Sequence, residues 1–132
     1  MIHAYCTYCS AEKKETETPI PAVKRYNSKR IQTVFSLAKE QGIKFLILSG
    51  YYGLLEAEDK IDFYDHLLLE NEVEKKALFM SAQLKEKKIS KIIFYTNSVI
   101  QDQNLKPYIR CIKIACTQAA VILELKSCSF ED

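Results

Sequence analysis

Ile43-Lys44-Phe45-Leu46-Ile47-Leu48-Ser49-Gly50-Tyr51-Tyr52-Gly53-Leu54-Leu55 is the stretch on which the fold turns. From Ile43 to Leu48 the run is apolar except for Lys44. It lacks the polar–apolar alternation of a strand with one wet face, so it predicts a strand buried on both faces, as in a parallel sheet. Ser49 and Gly50 then end the run abruptly. Ligands of open parallel sheets bind beyond the carboxyl ends of their strands, and this turn leaves such an end.

The flanking sequence alternates helix and strand. Upstream, Asn27 or Ser28 can cap a helix whose buried face is Ile31, Val34, Phe35 and Ala38, with Gly42 as its stop. Ile2 to Cys6 predicts a short first strand. Between them, Ser10 to about Lys24 is polar and carries Pro19 and Pro21, which predicts a long loop of the kind that often bears function. Downstream, Glu70 to about Lys88 predicts a helix with the apolar stripe Val73, Ala77, Met80 and Leu84. Ile92 to Tyr95 predicts another buried strand, followed by polar Thr96-Asn97-Ser98. A further helix starts near Asn104, with Pro107 in its first turn and Leu105, Ile109, Ile112 and Cys116 as its buried face. Val121 to Leu125 is the last expected strand. The order predicts one α/β domain over residues 1–132: a mainly parallel sheet of about four strands, joined by right-handed crossovers, with helices on both faces. The polar segments after Cys6, Leu48 and Tyr95 should converge.

The chain has 132 residues, 48% of them hydrophobic and 27% charged, which suits a globular domain with a core that needs no disulfide. Lys and Arg number 19 against 17 Asp and Glu. A net charge of +2 does not mark a nucleic-acid protein, so any basic surface must come from local clustering. Met1 to Tyr5 lacks the pattern of a signal peptide, and no apolar run approaches the roughly 20 residues that span a bilayer. The expected location is cytoplasmic, with no membrane partner. The odd number of cysteines favours reduced thiols. Cys6-Thr7-Tyr8-Cys9 has C-x-x-C spacing, but a zinc site needs two more ligands, and a thioredoxin-like pair would open a helix rather than a loop. His3 is the other nearby candidate, and Cys111 and Cys116 lie in a predicted helix. No metal and no other cofactor is assigned.

Three segments can carry chemistry. In Ser49-Gly50-Tyr51-Tyr52-Gly53, exposed amides and the serine hydroxyl can hold an anion, and a tyrosine can stack on a flat ring. The same residues can equally make a tight turn with packed tyrosines. In Asp62-Phe63-Tyr64-Asp65-His66, Asp65 is the acid–base candidate, although it can also brace a turn. Consecutive Asp65 and His66 do not face one another, so His66 reads as a surface or helix-proximal residue. Lys13, Lys14, Lys24, Arg25, Lys29 and Arg30, interleaved with Tyr5, Tyr8 and Tyr26, form a basic quarter suited to phosphate, partly neutralised by Glu12, Glu15 and Glu17. No P-loop, G-x-G-x-x-G or G-x-S-x-G motif is present, which argues against common NTPases, dinucleotide dehydrogenases and α/β-hydrolases.

Ile47-Leu48-Ser49-Gly50-Tyr51-Tyr52-Gly53-Leu54-Leu55, followed by Ile61, Tyr64-Asp65 and Leu68, resembles the signature of the YaaA peroxide-stress family and of small bacterial and phage domains related to it. Cys9-Ser10-Ala11-Glu12-Lys13-Lys14 matches the lysine-bearing first turn of those domains loosely, and Tyr26-Asn27-Ser28 matches their Y-x-S. The likeness covers the first half of the chain; the second half agrees in its order of elements. The chain is much shorter than full-length YaaA proteins and would lack parts of the larger fold. The resemblance implies an α/β core with a pocket at the shared motifs. It also implies a link to DNA or nucleotides and to stress response, as YaaA-type proteins bind DNA and protect against oxidative damage.

The first reading is a nucleic-acid- or nucleotide-binding domain that acts on a nucleobase or N-glycosidic bond. Asp65 and Ser49 would be its catalytic residues. Gly50, Tyr52, Gly53 and Tyr64 would surround the ligand, Lys13 and Lys14 would meet phosphate, and Tyr26 and Ser28 would line the rim. It requires Lys13, Ser49 and Asp65 to lie close together. The alternatives are a non-catalytic binder of a small nucleotide-like ligand and a protein-interaction domain with packed tyrosines and an exposed apolar patch.

Overall fold

In the computed structural model, which describes residues 1–128, strand β1 (Ile2–Tyr8) lies at the centre of a five-stranded sheet. Numbered in chain order, its strands also include β3 (Lys44–Ser49), β4 (Gly53–Glu56), β6 (Ile89–Thr96) and β7 (Ile122–Ser127). They run in the order β4-β3-β1-β6-β7. β1, β3, β6 and β7 are parallel, and β4 pairs antiparallel with β3. The protein is thus α/β with a mixed, mostly parallel sheet. β4 is the strand that the sequence does not announce. Ser49 pairs directly with Gly53, so the chain turns back on itself within the segment that reads as a turn.

The uninterrupted apolar run has its expected environment: every residue from Phe45 to Ser49 is buried. Successive side chains leave a strand on opposite faces, and the core accordingly falls into two clusters. Ala4, Cys6, Leu46, Leu48, Ile92 and Phe94 pack with helices α3 (Val73–Glu86) and α4 (Leu105–Ala119). Phe45, Ile47 and Tyr95 pack with Ile31, Val34 and Ala38 of helix α2 (Lys29–Gln41).

The caps of α2 are those the sequence predicts. Ser28 Oγ accepts from the Ile31 amide at 3.1 Å, and Gly42 closes the helix in the left-handed region at φ 67°. A 3₁₀ turn over Glu70–Glu72 leads into α3. The buried face of α4 includes Tyr108 and Cys111, while Ile109 is only half-buried at its margin. β7 is a sheet edge with mostly exposed side chains.

The expected loop from Ser10 to Lys24 is more structured than its prolines suggest. It contains β2 (Ile20–Pro21), which pairs antiparallel with β5 (Lys60–Ile61), and the single-turn helix α1 (Ala22–Arg25). Lys13 bridges Tyr26, and the Asn27 amide donates to Glu12 O at 3.0 Å. Two of the six cations assigned to a basic surface are buried instead. Arg25 donates to Lys14 O and Ile61 O, and Arg30 lies under the end of β1. Among the described residues, no helix is long and apolar enough to cross a membrane.

The topology fixes where a ligand can enter. From β1 the chain moves to β3 on one side; from β6 it moves to β7 on the other. The segments leaving the carboxyl ends of β1 and β6 therefore diverge, and a crevice opens between them.

Candidate functional site

A cleft of about 260 Å³ occupies this crevice. Tyr8 to Lys13, from the end of β1 onward, form one wall. Asp102, Asn104 and Tyr108, after β6 and on α4, form another. Asp65, His66 and Leu67 close it from the segment after β5. Two of the three polar segments expected to converge thus supply walls directly. The third, after Leu48, sits beside the cleft: a side chain at Gly50 would lie 3.1 Å from the Leu68 backbone nitrogen and from the Tyr108 hydroxyl.

Lys13 and Asp65 are therefore brought together, and Ser49 is joined to them through Tyr64. Lys13 Nζ lies over the Tyr64 ring, 4.6 Å from its centroid. Tyr64 is the neighbour of Asp65 in the chain, and its hydroxyl accepts from Ser49 Oγ at 2.9 Å. The same hydroxyl shares a 2.5 Å hydrogen bond with Tyr26. Burial pushes the Tyr26 and Tyr64 phenols well above the ordinary tyrosine range, and nearby Cys9 adds to the effect. The pair stays protonated and neutral, as a buried support behind Lys13.

Ser49 is fully buried, which changes its place in the site. Its oxygen accepts from the Tyr51 amide at 3.1 Å and the Tyr52 amide at 3.0 Å, while its proton goes to Tyr64. A hydroxyl has one donor and two acceptor positions, and all three are used. The amides expected to hold an anion are thus taken by Ser49, and its oxygen has neither exposure nor spare capacity for nucleophilic attack. Ser49 shapes the turn. Gly53 is likewise needed for packing: at φ 81°, an added Cβ would lie 2.7 Å from Gln83 Oε1 and 2.8 Å from Phe79. Tyr52 is half-buried and packs edge-on against Tyr51 and Tyr64.

The remaining expected residues divide. Lys14 is exposed and, with Tyr26 and Ser28, borders a separate open hollow beside α2. Tyr26 is itself buried, and the Ser28 hydroxyl caps α2. Asp65 is exposed at the cleft and has no hydrogen-bond or ion-pair partner among the described residues. His66 turns away from Asp65, and its Nε2 lies 3.0 Å from the Glu72 carboxylate.

Cys9, Asn104 and Tyr108 also line the cleft, although the sequence did not mark them for this role. Cys9 is half-buried, and its thiol lies 3.9 Å from the Tyr108 hydroxyl, which accepts from the Leu68 amide at 3.1 Å. Burial raises the Tyr108 phenol too. The available signal was positional: a polar segment after the β6 run, followed by a helix start. Cys6, the other member of the C-x-x-C pair, is sealed in the core, where burial raises its thiol well above the usual range. Among the described residues no cysteine forms a disulfide. Among the described residues, no three His, Cys, Asp or Glu side chains gather as a metal site.

A model of a family of unknown function, DUF6884, matches residues 6–110. The chain belongs to the DUF6884 family. The matched region runs from the core of β1 into α4, so it contains every segment that lines the cleft. No curated protein and no solved structure matches this DUF6884 member.

Proposed function

We propose that this DUF6884 protein is a YaaA-like domain that binds a nucleotide unit in the β1–β6 cleft and acts on its base or N-glycosidic bond. The observation that carries this reading is the presence of both Lys13 and Asp65 in the lining of one cleft at the strand ends. Lys13, held over Tyr64, is the phosphate-binding cation. Asp65, with no protein partner to occupy its carboxylate, is the general base for a water attacking the anomeric carbon. Asn104 offers both a donor and acceptors to the edge of a base. The two core clusters are read as helices covering both faces of the sheet, leaving this end as the place for a ligand.

A thermal-shift screen of nucleosides, nucleotides and short DNA strands tests it, with chromatography for released base. A native-state ligand raises apparent stability by mass action. Nucleotides should shift the wild-type protein. Lys13→Ala should lose the preference for phosphorylated ligands, and Asp65→Asn should keep binding while losing base release. Wild-type protein that responds to none of these compounds would overturn the reading. Binding without base release in any condition would instead favour a non-catalytic nucleotide binder.

A further inference from the structure

We infer that the nucleotide unit reaches the cleft as part of a single nucleic-acid strand, whose next base stacks on Tyr51 and Phe79. This rests on the nucleotide reading of the cleft and adds the class of substrate. A second hollow of about 590 Å³ shares His66 with the cleft as a lining residue. His66 thus stands between the two hollows, where a strand would pass from one to the other.

The lining of that hollow suits a base and a phosphate. Tyr51 is 54% exposed and Phe79 51%. One face of Tyr51 is backed by Tyr64, stacked at 5.6 Å and 22°, which presents its ring as a fixed platform. Phe79 is braced against Gly53. Tyr52 also meets the Tyr51 ring at 4.8 Å and 88°, and His66 meets it at 6.1 Å, so the fold orients both rings while about half of each stays exposed. Lys76 lies beside them, donating to Tyr51 O at 2.9 Å and standing 5.6 Å from the Phe79 ring. Exposed Lys75 adds a second cation and has no acidic partner among the described residues. Glu72, the acid that lines the hollow, is engaged with His66, and exposed Glu74 precedes Lys75 in the chain. Exposed rings with adjacent cations are the means by which proteins hold single strands without reading their sequence. A duplex keeps its bases stacked on one another and offers these rings nothing, and a net charge of +2 gives little reach along a duplex backbone.

The test compares a labelled oligothymidylate of about ten nucleotides, within the usual site size, with the same sequence in a duplex and with thymidine monophosphate. Anisotropy and calorimetry measure affinity over a range of salt. The single strand should bind more tightly than the mononucleotide and the duplex. Tyr51→Ala and Phe79→Ala should each weaken strand binding about tenfold and leave mononucleotide binding unchanged. Lys75→Gln, on an exposed helical position that should not disturb folding, should lower the dependence of log affinity on log salt by about 0.7. If the mononucleotide binds and the strand binds no better, or the three variants leave strand affinity unchanged, the strand inference fails while the cleft reading stands. A preference for duplex also overturns it. If neither mononucleotide nor strand binds, both fall. Self-association that Phe79→Ala abolishes, without strand binding, would assign the patch to a second copy of the chain.

Discussion

Ser49 Oγ donates to the Tyr64 hydroxyl at 2.9 Å, tying the turn after β3 to the segment that carries Asp65. Ser49→Ala removes that donor and the acceptor for two part-buried amides, while the Tyr64 hydroxyl keeps its hydrogen bond with Tyr26. It should cost about 1–3 kcal/mol of stability, read by urea denaturation. Asp65→Asn, at an exposed position without partners, should stay within about 0.5 kcal/mol of wild type. Equal stability of Ser49→Ala and wild type would show that the hydroxyl does not hold the turn.

The glycines separate two reasons for the same residue. At Gly42 (φ 67°) an added Cβ meets nothing within 4 Å, so Gly42→Ala should cost only backbone strain, about 1–2 kcal/mol. At Gly53 (φ 81°) the same strain is joined by contacts of 2.7 and 2.8 Å with Gln83 and Phe79. Gly53→Ala should therefore lose clearly more, by about 1–3 kcal/mol for the overpacking. The denaturation midpoints of the two variants give the comparison directly. Equal losses would mean that Gln83 and Phe79 move aside freely.

The same residues show how far the sequence reaches. Ser28, Gly42 and the run from Ile43 to Leu48 act through neighbours within a few positions, so their roles could be read in the chain. In sequence Ser49 looks like a catalytic hydroxyl and Tyr26 like a polar rim residue. Their partner is Tyr64, 15 and 38 residues away, and that pairing buries them. Lys13 and Lys14 are adjacent and chemically alike, and the bridge from Lys13 to Tyr26 and the hydrogen bonds between Lys14 and Arg25, none of them legible in the sequence, set which one faces the cleft. β4 escaped because its pairing with β3 begins inside the glycine-tyrosine turn, and β2 and β5, at two residues each, are too short to show a period.

Alkali should destabilise the fold. Burial raises the folded-state proton affinity of Tyr26, Tyr64, Tyr108 and Cys6, and it pushes the Cys111 and Cys116 thiols up to about 12. Below pH about 8.5 both states hold these protons. Above it, the unfolded chain releases first its thiol protons and then, near pH about 10, its phenol protons. The native state keeps them, so the unfolded state binds fewer protons and stability falls with rising pH. The slope can approach about 1.4 kcal/mol per pH unit for each such group. Urea denaturation between neutral pH and alkali checks it. Cys111→Ala and Cys116→Ala should each flatten the part that begins near the thiol range, and a flat profile would contradict the burial of these groups.

Glu56 sets the opposite limit. Hydrogen bonds from Lys44 at 2.8 Å and Lys87 at 2.7 Å hold its carboxyl below the usual range, against a smaller opposing effect of burial. A lowered folded value contributes stability above the unfolded value near pH about 4.3, and that stability is lost as pH falls through the folded value. The side chain is 40% exposed, so solvent screening limits the gain to about 1 kcal/mol or less. Glu56→Gln should remove this part of the acid profile and change little else. A variant with the wild-type profile below pH about 4 would show that the two lysines contribute nothing.

Arg30 governs the wall of the cleft from beneath. Its guanidinium is fully buried, donates to Thr7 Oγ1 and Tyr8 O at 2.6 Å, and lies 3.4 Å from the centre of the Tyr8 ring. Thr7 passes the connection on to Tyr95 O at 2.9 Å, so one side chain of α2 braces the ends of both β1 and β6. Lysine keeps the charge but not the planar fork or its stacking face. Arg30→Lys should cost about 3 kcal/mol, more than a surface exchange. It should also loosen the segment after Tyr8, where half-buried Cys9 is the local reporter. Thiol labelling followed by mass spectrometry should find faster modification of Cys9 in the variant, with buried Cys6, Cys111 and Cys116 still protected. Uniformly faster labelling of all four would indicate global unfolding. An unchanged Cys9 rate would show that Arg30 supports the core without shaping the cleft.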